Sequence, residues 1–310
     1  MDDFIEGQDL MRRYGRNPII NGKDIPFPCN TVFNAGAAML GDEFILLLRV
    51  ESQAGSSWFM VARSKNGIDF EVDQQPFMIP AQEGEFATFE KKGVEDARIT
   101  YLEGWYYITY TAASSYGARI ALARTKDFKS VERVAIVSQP ENKDGALFPK
   151  KFNGRYARLD RPIAGDQGNI WISFSHDLVH WGDSHVLVEM RDGAWDSFRL
   201  GASVPPIETD YGWLEIYHGL KMTSYGPIYR LGAVFLDLDD PTKVTCRTPN
   251  PLLSPREDYE RMGDIPNVVY SCGGIRVSED EIWVYYSGAD SCVCLASITI
   301  SDTMTLCGVC

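Results

Sequence analysis

The sequence predicts an all-β protein, a five-bladed β-propeller. Three observations carry that expectation. Helical periodicity is nearly absent, and short apolar runs are punctuated by Gly, Asn, Asp and Pro. A strand–turn–aromatic segment recurs. Phe59-Met60-Val61-Ala62-Arg63-Ser64-Lys65-Asn66-Gly67 returns as Ile120-Ala121-Leu122-Ala123-Arg124-Thr125-Lys126-Asp127-Phe128, then, degraded, as Ile170-Trp171-Ile172-Ser173-Phe174-Ser175-His176-Asp177-Leu178. A second motif, a Gly/Asp/Asn turn leading into an aromatic strand, returns at Phe44, Trp105, Tyr156, Trp213 and Trp283, in steps of roughly 50–70 residues. Five four-stranded units of that length fit five blades. A pair of β-sandwiches has no reason to repeat at this period.

The elements follow in order. Residues 1–17 are expected to be an N-terminal extension, either tail or closure, with a short helix over residues 6–14. Blade one holds Val32-Phe33-Asn34-Ala35-Gly36, the Gly41-Asp42 turn and the run Ile45-Leu46-Leu47-Leu48 before Arg49. Blade two holds Gly93-Val94-Glu95-Asp96-Ala97-Arg98 and the strand-like Ile99-Thr100-Tyr101-Leu102. Blade three holds Lys143-Asp144, Ala146-Leu147-Phe148-Pro149, the Asn153-Gly154 turn and Arg158, Asp160 and Arg161. Blade four is centred on Leu214-Glu215-Ile216-Tyr217-His218-Gly219, and blade five on Tyr285-Tyr286-Ser287-Gly288-Ala289-Asp290. A second short helical turn is expected at Asp258–Arg261, and the residues past Ser301 close or trail the last blade. No low-complexity linker divides the chain, so residues 1–310 are read as a single domain.

Composition narrows the function. With 310 residues, 45% of them hydrophobic, the chain can bury a large core. A net charge of −13 without a basic run argues against nucleic acid as a partner. An anionic ligand would need a local basic pocket. The acidic N-terminus lacks an apolar targeting core, and no apolar run is long enough to span a membrane, so a cytoplasmic protein without membrane contact is expected. The seven cysteines are odd in number and scattered, unlike a disulfide framework. Cys292 and Cys294 read as buried strand thiols, and Cys307 and Cys310 as thiols of a frayed end. No metal is expected, because the spacing matches no standard zinc pattern.

The chemistry concentrates at Glu95, Asp96 and Arg98, two carboxylates and a guanidinium within four residues. Carboxylates so placed protonate leaving groups in sugar chemistry; a salt-bridged turn is the structural alternative. In a propeller the inner strands converge on one depression, so distant residues line one pocket. The candidates are Asn34 and Arg49, Asp96 and Arg98, Lys143 and Asp144, Arg158, Asp160 and Arg161, His218, and Asp290, each in an equivalent place in successive repeats. Alone, His218 in an apolar strand reads as a satisfied core histidine.

Taken together, these motifs resemble glycoside hydrolase family 130, the inverting β-mannoside phosphorylases and hydrolases. The resemblance runs from Asn17-Pro18-Ile19-Ile20 to Ala289-Asp290, through Phe33-Asn34-Ala35-Gly36, Gly93-Val94-Glu95-Asp96-Ala97-Arg98, Ala146-Leu147-Phe148-Pro149, Arg161-Pro162 and Tyr217-His218-Gly219. It implies a five-bladed propeller with Asp96 as proton donor, acting through a sugar hydroxyl. It also implies inorganic phosphate as co-substrate, with no cofactor, held by Lys143, Arg161 and His218. Asn34, Arg49, Arg98 and Asp290 would hold the mannosyl unit. The implied activity is inverting phosphorolysis of a mannooligosaccharide or mannosyl-N-acetylglucosamine, releasing α-mannose 1-phosphate, in a possible homo-oligomer. Two departures stand out. Ala97 follows Asp96 where the family usually has Pro, and Asp160 precedes Arg161-Pro162 where it usually has Asn or His. A carboxylate there repels phosphate unless Arg158 or Arg161 pairs with it. A hydrolase of the same family and a non-catalytic carbohydrate-binding propeller are the alternatives. In the hydrolase reading, Asp160 or Glu215 would be the base for water.

Overall fold

In the computed structural model, which describes residues 3–165 and 167–308, the strand signals pair into antiparallel sheets. β1 (Phe4–Ile5), β2 (Arg12–Tyr14) and β3 (Ile20–Asn21) open the chain. β4 (Cys29–Leu40), β5 (Glu43–Ser52), β6 (Ser57–Ser64) and β7 (Glu71–Val72) follow. After α1 (Gly84–Phe89) come β8 (Gly93–Leu102), β9 (Trp105–Ala113), β10 (Arg119–Thr125) and β11 (Glu132–Ile136), then β12 (Asn142–Phe152), β13 (Arg155–Pro162), β14 (Ile170–Ser175) and β15 (Trp181–Val188). The chain continues through β16 (Arg199–Ala202), β17 (Ile207–Thr209), β18 (Gly212–Thr223), β19 (Gly226–Leu236), β20 (Val244–Arg247) and α2 (Asp258–Arg261). It ends with β21 (Val269–Arg276), β22 (Glu281–Gly288), β23 (Cys292–Thr299) and α3 (Ile300–Leu306). Among the described residues no helix is long and apolar enough to cross a membrane.

β12 to β15 form one meander. β16, β18, β19 and β20 form a second, with β17 also paired to β18. β21, β22 and β23 form a third, extended by β2 and β1, with β3 also on β23. An eight-stranded sheet contains two further meanders, β4 to β7 and β8 to β11, joined by a parallel pairing of Ser57 with Gly93.

The recurrent motifs are its turns. Gly41-Asp42, Glu103-Gly104 and Asn153-Gly154 link the first two strands of their meanders. Glu103, Gly104, Asn153 and Gly154 all have positive φ, the backbone twist that two-residue hairpins require. The other motif is a hydroxyl-capped turn built three times. Ser64 accepts from the amide of Gly67, Thr125 from that of Phe128 and Ser175 from that of Leu178, each at 2.9–3.1 Å.

Apolar runs mark strands buried on both faces. In β5, Leu46 and Leu48 pack into one core cluster and Ile45 and Leu47 into the next. β22 does the same, with Val284 and Tyr286 on one side and Trp283 and Tyr285 on the other.

Two expectations need correction. Residues 6–14 are not a helix: β1 and β2 pair with each other, and β2 pairs with β23. Long-range bonding overrides the local pattern there, since Arg13 forks onto buried Glu260 at 2.7 and 2.9 Å. Cys307 is not a frayed thiol either. It ends α3 and forms a disulfide with Cys246 of β20. Cys292 and Cys294 are buried strand thiols, and Cys310 lies outside the described residues, as do residues 1 and 2 of the expected N-terminal extension. Asp258–Arg261 is helical as the sequence predicts.

Candidate active site

A cavity of about 350 Å³ opens where the first strands of the meanders converge. Three of those strands carry the same device. In β4, β8 and β12 the ladder slips at Asn34-Ala35, Asp96-Ala97 and Asp144-Gly145. Asn34, Asp96 and Asp144 sit there at φ of 46°, 56° and 59°. Asn and Asp tolerate this left-handed region better than other side chains, and a bulge re-aims the side chain of its strand. All three line the cavity.

Asp96 is the hub of one cluster. Its Oδ1 accepts from Asn34 Nδ2 and Arg49 Nη1, both at 2.8 Å. Asn34 is fixed in turn by Ser287, whose hydroxyl donates to Asn34 Oδ1 at 2.6 Å. Arg49 also meets Glu95 at 3.1 Å, and Glu95 meets Lys143 at 3.3 Å. Burial works against the charge on Asp96, but Arg49 first, then Lys143, hold its carboxyl below the usual range. Arg98, two residues away in sequence, contributes less than either. Asp290, in the turn after β22, faces the same cavity. Burial, reinforced by the charge of Asp96, pushes Asp290 up to about 7.

Asp144 is the hub of a second cluster. Its Oδ2 accepts from Arg161 Nε at 2.6 Å, and its Oδ1 from Tyr270 Oη at 3.0 Å and Arg98 Nη2 at 3.3 Å. His218 Nε2 stands 3.5 Å from Oδ2, while its Nδ1 is 3.1 Å from Ser203 Oγ. Burial opposes ionisation of Asp144, yet Arg161 foremost holds it far below the usual range. Burial drives His218 down to about 3, against the pull of Asp144. The imidazole of the ligand-free site is therefore neutral near pH 7.

Lys143 and Arg161 are direct cross-strand partners on the cavity wall. Like charges in that position repel; here Glu95 and Asp144 balance them. Arg199 also faces the cavity, and its Nε is buried without a hydrogen-bond partner.

The structure thus brings Asn34, Arg49, Asp96, Lys143, Arg161, His218 and Asp290 to one cavity. It does not bring Arg98, whose side chain lies behind the wall at 1% exposure, bonded to Ser203 O, Ala202 O and Asp96 O. Arg98 cannot touch a sugar from there; it braces Asp96 and Asp144. Asp160 and Glu215 are off the cavity as well. Asp160 pairs with buried Arg158 at 2.8 Å, which removes the expected repulsion. Glu215 is fully buried, and its burial raises its pKa well above the usual range. Sequence reasoning named Asp144 beside Lys143 without giving it a role, and missed Arg199, Tyr229 and Tyr270 as wall residues. The signal for Asp144 was present: Asn34-Ala35, Asp96-Ala97 and Asp144-Gly145 are one motif, an Asx followed by a small residue. Among the described residues no group of three or more His, Cys, Asp or Glu is placed to hold a metal.

An all-β scaffold with carboxylates and cations around one cavity suits a class of site that protonates a leaving group and holds an anion. The family model of glycoside hydrolase family 130, described as beta-1,4-mannooligosaccharide phosphorylase, matches residues 5–308, and the chain belongs to this family. It is 41% identical over 250 residues to a beta-1,2-mannobiose phosphorylase of Listeria innocua, covering 80% of this chain and 68% of that one. It is 33% identical to a beta-1,4-mannooligosaccharide phosphorylase of Ruminococcus albus, covering 96% and 90%. A structure of beta-1,2-mannobiose phosphorylase from Listeria innocua in complex with beta-1,2-mannobiose superposes with a TM-score of 0.88 at 33% identity, covering 96% and 99%.

Proposed function

We propose that the chain is an inverting β-mannoside phosphorylase that cleaves a β-mannooligosaccharide with inorganic phosphate and releases α-mannose 1-phosphate. One observation carries this reading: a single cavity presents the carboxyl group of Asp96 together with four basic side chains, Arg49, Lys143, Arg161 and Arg199. Inversion needs an acid on one face of the anomeric carbon and a nucleophile on the other. Phosphate is itself the nucleophile, so no second catalytic carboxylate is required. Lys143, Arg161 and Arg199 supply charge for a dianion, and neutral His218 an N–H. Asn34, Arg49 and Asp290 lie around Asp96 and would hold the mannosyl unit.

Asp96 must carry a proton to serve as acid, yet Arg49 and Lys143 favour its charged form. A bound phosphate dianion engages Lys143, one of these two cations, and adds negative charge, and both effects shift Asp96 toward protonation. The nucleophile thereby arms the acid. The five meanders are read as five propeller blades and the chain as one catalytic domain.

The test supplies purified protein with β-1,2- and β-1,4-mannobiose, with and without phosphate. Cleavage should require phosphate and yield mannose 1-phosphate. Asp96→Asn should lower turnover by about 10²–10⁴-fold. Free mannose formed at full rate in phosphate-free buffer would sink the proposal.

A further inference from the structure

We infer that Asp144 makes the anion pocket selective for a tetrahedral oxyanion that carries a proton, accepting hydrogen phosphate or arsenate and rejecting sulfate. The inference rests on the phosphate reading given above and deepens it.

An ionised carboxylate accepts about four hydrogen bonds and donates none. Oδ1 is used by Tyr270 Oη at 3.0 Å and Arg98 Nη2 at 3.3 Å. Oδ2 takes Arg161 Nε at 2.6 Å, while His218 Nε2, at 3.5 Å, is beyond a good hydrogen bond. Oδ2 thus has one hydrogen-bond donor where a carboxylate oxygen takes two, and Asp144 is among the residues lining the cavity. The backbone of Gly201 packs directly against this carboxylate and against His218, fixing both. A Cβ on Gly201 would collide with both Asp144 Oδ2 and the imidazole of His218.

An oxyanion held by Arg161 and His218 therefore sets one of its oxygens beside Asp144 Oδ2. Two guanidiniums, buried Arg98 and partly buried Arg161, keep that carboxylate ionised. A bare anion oxygen against it would place two acceptors in contact. A P–OH resolves the conflict by donating. Hydrogen phosphate and hydrogen arsenate carry such a hydroxyl near neutral pH, and sulfate does not. The same bond leaves the other phosphate oxygens unprotonated, one of them free to attack the anomeric carbon.

The test uses the purified full chain in β-mannobiose phosphorolysis at pH 7. A hydrogen bond to a charged group is worth a factor of about ten to a hundred. Arsenate should replace phosphate with a comparable KM. Sulfate should inhibit competitively with a Ki at least about tenfold above the KM for phosphate. In Asp144→Asn the amide can donate to sulfate, so its Ki should fall while the KM for phosphate rises, and the ratio should collapse. Sulfate competing as well as phosphate in the unaltered protein would overturn the inference, and that comparison decides it even if the variant does not fold. An unchanged ratio in Asp144→Asn would overturn it too. Both results leave phosphate-dependent cleavage intact, whereas free mannose without phosphate removes the phosphorylase reading itself.

Discussion

Asp96 and Asp290 are two carboxyl groups on one cavity with opposite tendencies, and the contrast makes a pH prediction. Asp96 is held ionised by Arg49 and Lys143; Asp290, with burial and Asp96 against it, titrates at about 7. Below that pH Asp290 is neutral and can donate to a sugar oxygen. Above it, a second anion faces Asp96 and any bound phosphate. The kcat/KM for mannoside should fall as pH rises through about 7, and Asp290→Asn should remove that limb; a variant with the same limb would exclude Asp290 as its source. Linkage adds a stability effect of definite sign. The folded pKa is raised, so the unfolded chain loses this proton first, and stability declines between about pH 4 and 7. Asp290→Asn should flatten that decline in denaturant titrations. Most of this site was legible in the sequence because its residues sit in sharp local motifs. Asp144 was named beside Lys143 but its role was not, and Arg98 was misplaced because nearness in sequence to Asp96 says nothing about which side of a bulge a side chain takes.

The bulge is the element that builds the cavity, and its glycines explain how closely the strands converge. A Cβ on Gly36 of β4 would lie 2.5 Å from the carbonyl oxygen of Ala97, in the bulge of β8. Gly273 of β21 is pressed in the same way against Ala35 and Ala37 of β4. Backbone meets backbone here, so no flexible side chain can yield. Gly36→Ala should therefore cost about 1–3 kcal/mol by overpacking, lowering the melting midpoint by a few degrees. It should also displace Ala97 and with it Asp96, so turnover should fall more than folding stability alone explains. Calorimetry alongside steady-state kinetics separates the two, and full turnover in a well-folded Gly36→Ala protein would refute the role given to this contact. At this scale the turns were the most readable feature, since Asn-Gly and hydroxyl-capped turns are local chemistry. The helix expected over residues 6–14 failed because Arg13 answers to Glu260, a partner 247 residues away.

At the scale of the molecule, the order of the meanders follows the chain, but the joining of its ends does not follow from any local signal. β1 and β2 complete the sheet of β21 to β23, and Arg13 bonds to Glu260 and to the carbonyl of Ser254. A second tie links α3, past the last strand, to β20 of the preceding meander through Cys246–Cys307. Counting cysteines could not find this pair, because 61 residues separate its members and other thiols lie nearer in sequence. A crosslink over a loop of that length stabilises by about 4 kcal/mol in the chain-entropy account. Neither cysteine lines the cavity. Reducing the oxidised protein should thus lower its melting midpoint by several degrees while leaving turnover at 25 °C unchanged, and Cys307→Ser should reproduce both results without reductant. A midpoint indifferent to reductant would mean that the disulfide contributes nothing to closure. A parallel loss of turnover at 25 °C would mean that the tie between the last two meanders also sets the geometry of the cavity they share.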